Sequence, residues 1–97
     1  MVINNKNEIW PPKKVSRNKY LWWHSYLTRW GDNDIYGHVN NIIYYSMFDT
    51  VVNYFLIKTA GFDPLNSNCI GVTPETRCCY YKSIKYPEKV DVGIIIK

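Results

Sequence analysis

The longest apolar pattern in the chain runs from Ile42 to Ala60, and it predicts one long helix. Its apolar residues recur every four positions along one line, formed by Ile43, Met47, Val51 and Phe55. Asn40 or Asn41 is a natural N-cap for this helix, and Gly61 is a natural stop after its last turn. We therefore expect a helix bounded by residues that are typical of helix ends.

The polar residues of the same segment form a single narrow stripe, made up of Ser46, Asp49, Thr50 and Asn53. A helix on the surface of a globular domain usually has a much wider polar face. The pattern therefore predicts a central helix whose circumference is mostly buried under a sheet.

Four other stretches are rich in β-branched and aromatic residues, which is typical of strands: Tyr20–Trp30, Cys69–Val72, Thr76–Tyr86 and Lys89–Lys97. In the last of them, Val90, Val92, Ile94 and Ile96 recur at every second position and would lie on one side of the strand. One strand, one long helix and then further strands, with no second helix, indicate an α+β fold with an antiparallel sheet.

Composition limits the remaining possibilities. A chain of 97 residues with 46% hydrophobic residues allows one small domain with a core. Its net charge of +4 belongs to the first 20 residues, so we expect residues 1–19 to form an extended basic tail and residues 20–97 to form the domain. The neutral remainder does not favour nucleic-acid binding. The longest apolar run is interrupted by Asp49 and Asn53, which argues against a membrane span.

The three cysteines, Cys69, Cys78 and Cys79, are odd in number and contain no C-x-x-C pair. A disulfide framework is therefore not expected, and a reducing compartment is indicated. We predict a cytoplasmic protein, with a mitochondrial location left open.

The chemically richest stretch is the loop from Trp30 to Asn41, just before the predicted helix. It combines carboxylates, an imidazole and glycines beside a helix start, whose free N–H groups could hold a polarised carbonyl. A calcium loop of the EF-hand type is excluded, because Tyr36 and Ile43 occupy two ligand positions. With only two histidines in the chain and no spaced His or Cys cluster, no metal site is expected.

From Arg29 to Tyr44 the chain reads R-W-G-D-N-D-I-Y-G-H-V-N-N-I-I-Y. This string resembles the signature of hotdog-fold acyl-CoA thioesterases of the 4-hydroxybenzoyl-CoA thioesterase type. The resemblance implies an antiparallel sheet curled around one long central helix. Members of that family continue through further strands, so this chain is expected to lack the last strands of the domain.

The resemblance also implies roles for the loop residues. Asp34 matches the carboxylate that acts as general base on water or attacks the thioester directly, although an Asx turn would also explain an aspartate there. His38 could orient Asp34, its backbone could bound the oxyanion site, or it could be structural. Gly37 would let the thioester approach the helix start closely.

Substrate contacts are expected from two regions of the chain. Near the helix start the candidates are Val39, Asn40, Asn41 and Asp49, although the two asparagines could serve simply as caps. Coenzyme A carries phosphates, for which Arg77 and Lys82 are cationic candidates.

Together these features predict hydrolysis of acyl-CoA thioesters to free acid and coenzyme A, without a metal or redox cofactor. The protein is expected to form a homodimer or homotetramer and to bind neither nucleic acid nor membranes. The alternative is a catalytically weak or inactive hotdog protein that serves as a truncated isoform, an acyl-CoA-binding module or a dimerisation module.

Overall fold

Helix α1 spans Asn41–Lys58 in this computed structural model, which describes residues 2–3, 11 and 13–96. Asn40 is the N-cap, and its side-chain oxygen accepts a hydrogen bond from the N–H of Ile42 at 3.2 Å. Gly61 follows the helix with a φ of 71°, a left-handed conformation that glycine adopts without strain. The predicted helix and both of its ends are confirmed.

The sheet has three strands, β1 (Val2–Ile3), β2 (Trp22–Leu27) and β3 (Lys89–Ile96), and β3 lies between the other two. Strand β2 pairs antiparallel with β3 over their whole overlap, and β1 runs parallel to the end of β3. The first and last of the predicted strands are thus confirmed. Strand β1 lies within the segment expected to be a tail, while residues 4–10 and 12 of that tail lie outside the described part of the chain.

The strands predicted at Cys69–Val72 and Thr76–Tyr86 were wrong, because the structure has no strand between residues 69 and 86. A strand needs a neighbouring strand to satisfy its N–H and C=O groups, whatever its intrinsic preference. In the described residues no neighbouring strand pairs with this segment. Residues 69–86 therefore form neither a helix nor a strand.

The core forms where one face of α1 packs on the inner face of the sheet. Its buried residues are Met47, Val51, Phe55, Val92 and Ile94. The expectation that most of the helix circumference is buried was wrong: Ile42, Tyr45, Tyr54 and Ile57 are all more than one third exposed. Strands β2 and β3 are wide enough to cover only one face of the helix.

No helix in the described residues is long and apolar enough to cross a membrane.

The outer face of the sheet carries a second packed layer, centred on Trp23. The indole ring lies beneath the guanidinium of Arg17, 3.9 Å from the ring centroid, and beside the ring of Tyr20. Arg17 also forms a 2.9 Å ion pair with Asp91 of β3. These contacts of Arg17 hold the segment that precedes β2 against the outer face of the sheet. Gly93 lies directly opposite Trp23 in the β2–β3 register.

Gly93→Ala is expected to destabilise the fold, because a Cβ there would lie 2.8 Å from the Trp23 ring. Overpacking of this kind costs about 1–3 kcal/mol of unfolding free energy, which urea denaturation would measure. Gly71→Ala is the matched control, since nothing lies within 4 Å of its Cβ position. Equal stability of the two variants would contradict the close contact at Gly93.

Candidate active site

Asp32 anchors the loop that precedes α1. Its side chain is 1% exposed and accepts hydrogen bonds from the backbone N–H of Arg29 at 2.8 Å and from its guanidinium at 3.0 Å. These bonds raise the pKa of the Arg29 guanidinium above its usual value. The carbonyl of Asp32 also accepts the N–H of Asn40 at 2.9 Å. Asp32 thus joins the two ends of the loop, and both of its carboxylate oxygens already accept hydrogen bonds from Arg29.

Between these ends the chain makes a tight turn that presents Asp34. The N–H of Asp34 donates to the carbonyl of His38 at 2.9 Å, and Gly37 donates back to the carbonyl of Asp34 at 3.1 Å. Oδ1 of Asp34 accepts the N–H of Tyr36 at 2.9 Å, so the Asx turn considered from the sequence is present. In the described part of the chain, no hydrogen bond or ion pair engages Oδ2. One carboxylate oxygen therefore holds the turn and the other is available.

Gly37 has a φ of 81°, which the turn requires and which residues with a side chain rarely adopt. Nothing lies within 4 Å of the position that a Cβ would occupy there. The backbone conformation thus gives a local reason for this glycine. The open space beside it is compatible with the predicted close approach of a substrate, which stays a prediction.

A cleft of about 390 Å³ lies against this turn and the start of α1. Five of the residues predicted to act on or bind substrate line it, namely Asp34, His38, Val39, Asn41 and Lys82. The cleft thus brings the loop carboxylate together with a lysine from the irregular segment. Lys82 lies far from Asp34 in the sequence, and the fold places both on one cavity.

The other predicted site residues lie outside that lining. Asn40 caps the helix. The side chain and carbonyl of Asp49 accept hydrogen bonds from the Asn53 amide one turn further along α1. Arg77 lies 3.5 Å from the carboxylate of Glu75. Their predicted roles with substrate stay predictions.

Among the described residues, one N–H group at the start of α1 has no acceptor within the protein. The N–H of Val39 donates to Ile84 at 2.8 Å, and that of Asn40 donates to Asp32. The N–H of Ile42 is taken by the Asn40 side chain. Asn41, which lines the cleft, has no acceptor for its N–H within the described ranges. This geometry favours Asn41 as the donor at the helix N-terminus.

Four tyrosines and a serine complete the cleft and were not predicted as site residues: Tyr36, Tyr44, Tyr80, Tyr81 and Ser83. The ring of Tyr44 meets that of Tyr80 edge-on, with centroids 5.0 Å apart. Burial raises the pKa of Tyr44 and, together with the neighbouring Cys78 thiol, raises the pKa of Tyr80 to about 12. Both phenols are therefore protonated at neutral pH. Tyr44 is the last residue of the motif that begins at Arg29, so the motif could have identified it as a site residue. Tyr80 was instead predicted to lie in a strand.

Among the described residues, no three His, Cys, Asp or Glu side chains converge closely enough to hold a metal ion. The chemistry available in the cleft is thus that of a carboxylate, an imidazole, backbone N–H groups, phenols and one ammonium group.

Comparison with known proteins places this geometry in a family. Residues 28–95, more than half of the chain, match the Thioesterase-like superfamily. The crystal structure of the PA5185 protein from Pseudomonas aeruginosa is similar at 43% sequence identity and a TM-score of 0.75. The similarity covers 79% of this chain and 54% of that one, so the chain spans about half the length of its structural relative. No curated protein gives a significant match.

The two matches agree with the architecture described above, one long helix against an antiparallel sheet. The predicted α+β hotdog fold is therefore confirmed, and so is the resemblance from which it was inferred. The chain belongs to the thioesterase-like superfamily.

Proposed function

We propose that this chain carries the active site of an acyl-CoA thioesterase, which hydrolyses its substrate to a free acid and coenzyme A. Membership in the thioesterase-like superfamily supports thioester hydrolysis as the class of reaction. The observation that carries the proposal is that Asp34, Asn41 and Lys82 line one cleft at the start of α1. They supply, respectively, a base or nucleophile, an N–H donor for the thioester oxygen and a cation for a coenzyme A phosphate.

In the general-base route, Oδ2 of Asp34 takes a proton from water while the water oxygen attacks the thioester carbonyl carbon. The negative charge that develops on the carbonyl oxygen is stabilised by the N–H of Asn41 and the partial positive charge of the helix start. Collapse of the tetrahedral intermediate breaks the C–S bond and expels the coenzyme A thiolate, which takes up a proton. The Asx turn supports this role because it holds Oδ1 and leaves Oδ2 available.

In the nucleophilic route, Oδ2 attacks the carbonyl carbon itself and expels the thiolate, which leaves a mixed anhydride on Asp34. Water then hydrolyses the anhydride and restores the carboxylate. Label found in Asp34 after a single turnover in ¹⁸O-labelled water would demonstrate the nucleophilic route, whereas label in the acid alone is compatible with both routes because water can also attack the acyl carbonyl of the anhydride. The base route places the label in the acid product, whereas attack of water on the aspartyl carbonyl of the anhydride places it in Asp34.

His38 is joined to Asp34 through the backbone, since its carbonyl accepts the Asp34 N–H at 2.9 Å. His38 is also one of the residues that line the cleft. This supports a role in orienting the carboxylate, or in bounding the oxyanion position through its backbone.

The test of the proposal is thiol release from a panel of acyl-CoA esters that covers short, long and aromatic acyl groups. We expect release above the spontaneous rate for at least one ester class. Binding of coenzyme A without turnover of any ester would favour the non-enzymatic alternative, an acyl-CoA-binding module. Absence of both binding and turnover would reject the proposal.

We further expect the chain to self-associate as a homodimer or homotetramer. Ile42 is 70% exposed, and Tyr45, Tyr54 and Ile57 leave further apolar area of α1 open to solvent. Burying one large apolar side chain contributes roughly 1.5–3 kcal/mol, so an interface that covered several of them would be favourable. Sedimentation velocity at micromolar concentrations measures this, and a purely monomeric protein would contradict it.

A further inference from the structure

One side of the cleft is formed by residues 80–83, which belong to the irregular chain between α1 and β3. In the described residues no strand pairing holds this segment in place. Two hydrogen bonds tie its ends to the helix start instead. The Tyr80 hydroxyl donates to the carbonyl of Asn41 at 3.3 Å, and the carbonyl of Ile84 accepts the N–H of Val39 at 2.8 Å. Lys82 and Ser83 lie between these two points.

Tyr80 makes its attachment with two separable parts of its side chain. The ring packs edge-on against Tyr44 of α1, and the hydroxyl reaches the first residue of the same helix. The phenol is a hydrogen-bond donor at neutral pH, as any tyrosine is, and burial and the Cys78 thiol raise its pKa further, to about 12. Replacement by phenylalanine would keep the ring contact and remove the contacts of the hydroxyl, which are the bond to Asn41 and those with the Cys78 thiol and the Tyr45 hydroxyl.

We propose that Tyr80 is a positioning residue for substrate binding: its hydrogen bond to Asn41 fixes the segment that carries Lys82, and thereby sets the affinity for the anionic coenzyme A part of the substrate. This rests on the proposed function, because it takes coenzyme A as the bound group. Tyr80 itself need not contact the reacting carbonyl. Its effect passes through the placement of the lysine ammonium group.

The physical reason is the flexibility of lysine. Its ammonium group is a point charge on a stem with several rotatable bonds, so its contact with a phosphate depends on where the backbone holds the stem. A segment fixed at both ends has little conformational freedom left to lose when the ligand binds. Release of one end restores that freedom, and binding must then order the segment again.

The first experiment compares the wild-type chain with Tyr80→Phe by calorimetric titration with coenzyme A. Loss of one hydrogen bond is expected to raise Kd roughly 2- to 10-fold. In thioester hydrolysis, KM should rise by a similar factor while kcat changes little, because the contact is made equally in the ground state and the transition state. Tyr54→Phe is the matched control, since Tyr54 packs on Trp22 and His24 on another part of α1.

The second experiment is a double-mutant cycle with Lys82→Ala. If Tyr80 acts through Lys82, the Tyr80→Phe change will raise Kd in the wild-type background and leave it unaltered in the Lys82→Ala background. An equal effect in both backgrounds would overturn the inference, as would a fall in kcat with unchanged KM. Circular dichroism of each variant checks that the fold is retained.

These outcomes separate the inference from the proposed function. If the wild-type chain hydrolyses acyl-CoA but Tyr80→Phe binds coenzyme A as tightly as wild type, only the role of Tyr80 is rejected. If the wild-type chain neither binds coenzyme A nor releases thiol from its esters, both are rejected.

Discussion

Asp34→Asn is expected to abolish most thioester hydrolysis while leaving the fold intact. Removal of a general base costs about 10²–10⁴ in rate, and an amide is also a far weaker nucleophile than a carboxylate. The side-chain oxygen of asparagine can still accept the N–H of Tyr36, so the Asx turn should survive. The measurement is kcat/KM for the best ester of the panel, with circular dichroism to confirm folding.

The matched control is Asp63→Asn. Asp63 also accepts backbone N–H groups in a turn, from Leu65 and Asn66, but it lies in the loop after α1 and outside the cleft lining. Its substitution should leave the hydrolysis rate near that of wild type. If Asp34→Asn turned over substrate as fast as this control, with an unchanged fold, Asp34 would have no part in the reaction.

Met47→Ala is expected to cause a large loss of stability. Met47 is 2% exposed and belongs to the core that α1 shares with Val92 and Ile94. Truncation of a buried Met, Leu or Ile to alanine lowers the free energy of unfolding by about 2–5 kcal/mol, because it loses apolar contacts and leaves a cavity. Small domains have total stabilities of roughly 5–15 kcal/mol, so this variant should unfold at much lower urea concentrations.

Ile57→Ala provides the comparison within the same helix. Ile57 is 44% exposed, so its truncation removes less buried surface and opens no closed cavity. Its effect on the urea midpoint should be well below that of Met47→Ala. A similar loss for both variants would mean that the face of α1 carrying Ile57 is also buried, for example in an oligomer, and dilution would then reduce the loss for Ile57→Ala.

Helix α1 and strand β3 could be predicted from the sequence because their determinants are local. The four-residue repeat of apolar positions, an asparagine cap and a terminal glycine specify α1 without reference to the rest of the chain. Alternation between Val90 and Ile96 does the same for β3. The stretch from Cys69 to Tyr86 has strand-like composition, but the structure leaves it unpaired. Composition alone does not state whether a partner strand is present.

The site shows the same division between local and long-range information. The motif identified Asp34 and His38, and charge identified Lys82, all of which line the cleft. Neither the motif nor the charge pattern revealed which N–H groups at the helix start have hydrogen-bond acceptors. The N–H of Val39 is engaged by Ile84, a residue far along the chain, and Tyr80 reaches the cleft from a segment whose path no periodicity predicts.

The loop from Asp32 to Asn40 has only the end of a 3-10 helix at Asp32 and a single β-bridge between Asn33 and Val39, yet its amide groups are extensively engaged. Asp32, Asp34 and Gly37 donate to carbonyls within the loop or beside it, and Val39 and Asn40 donate to Ile84 and Asp32. Such a segment should resist hydrogen exchange as a helix does, although it lies at the surface. In the proposed mechanism, the reorganisation energy of placing the Asp34 carboxylate is then met once, during folding, and does not recur with each catalytic cycle.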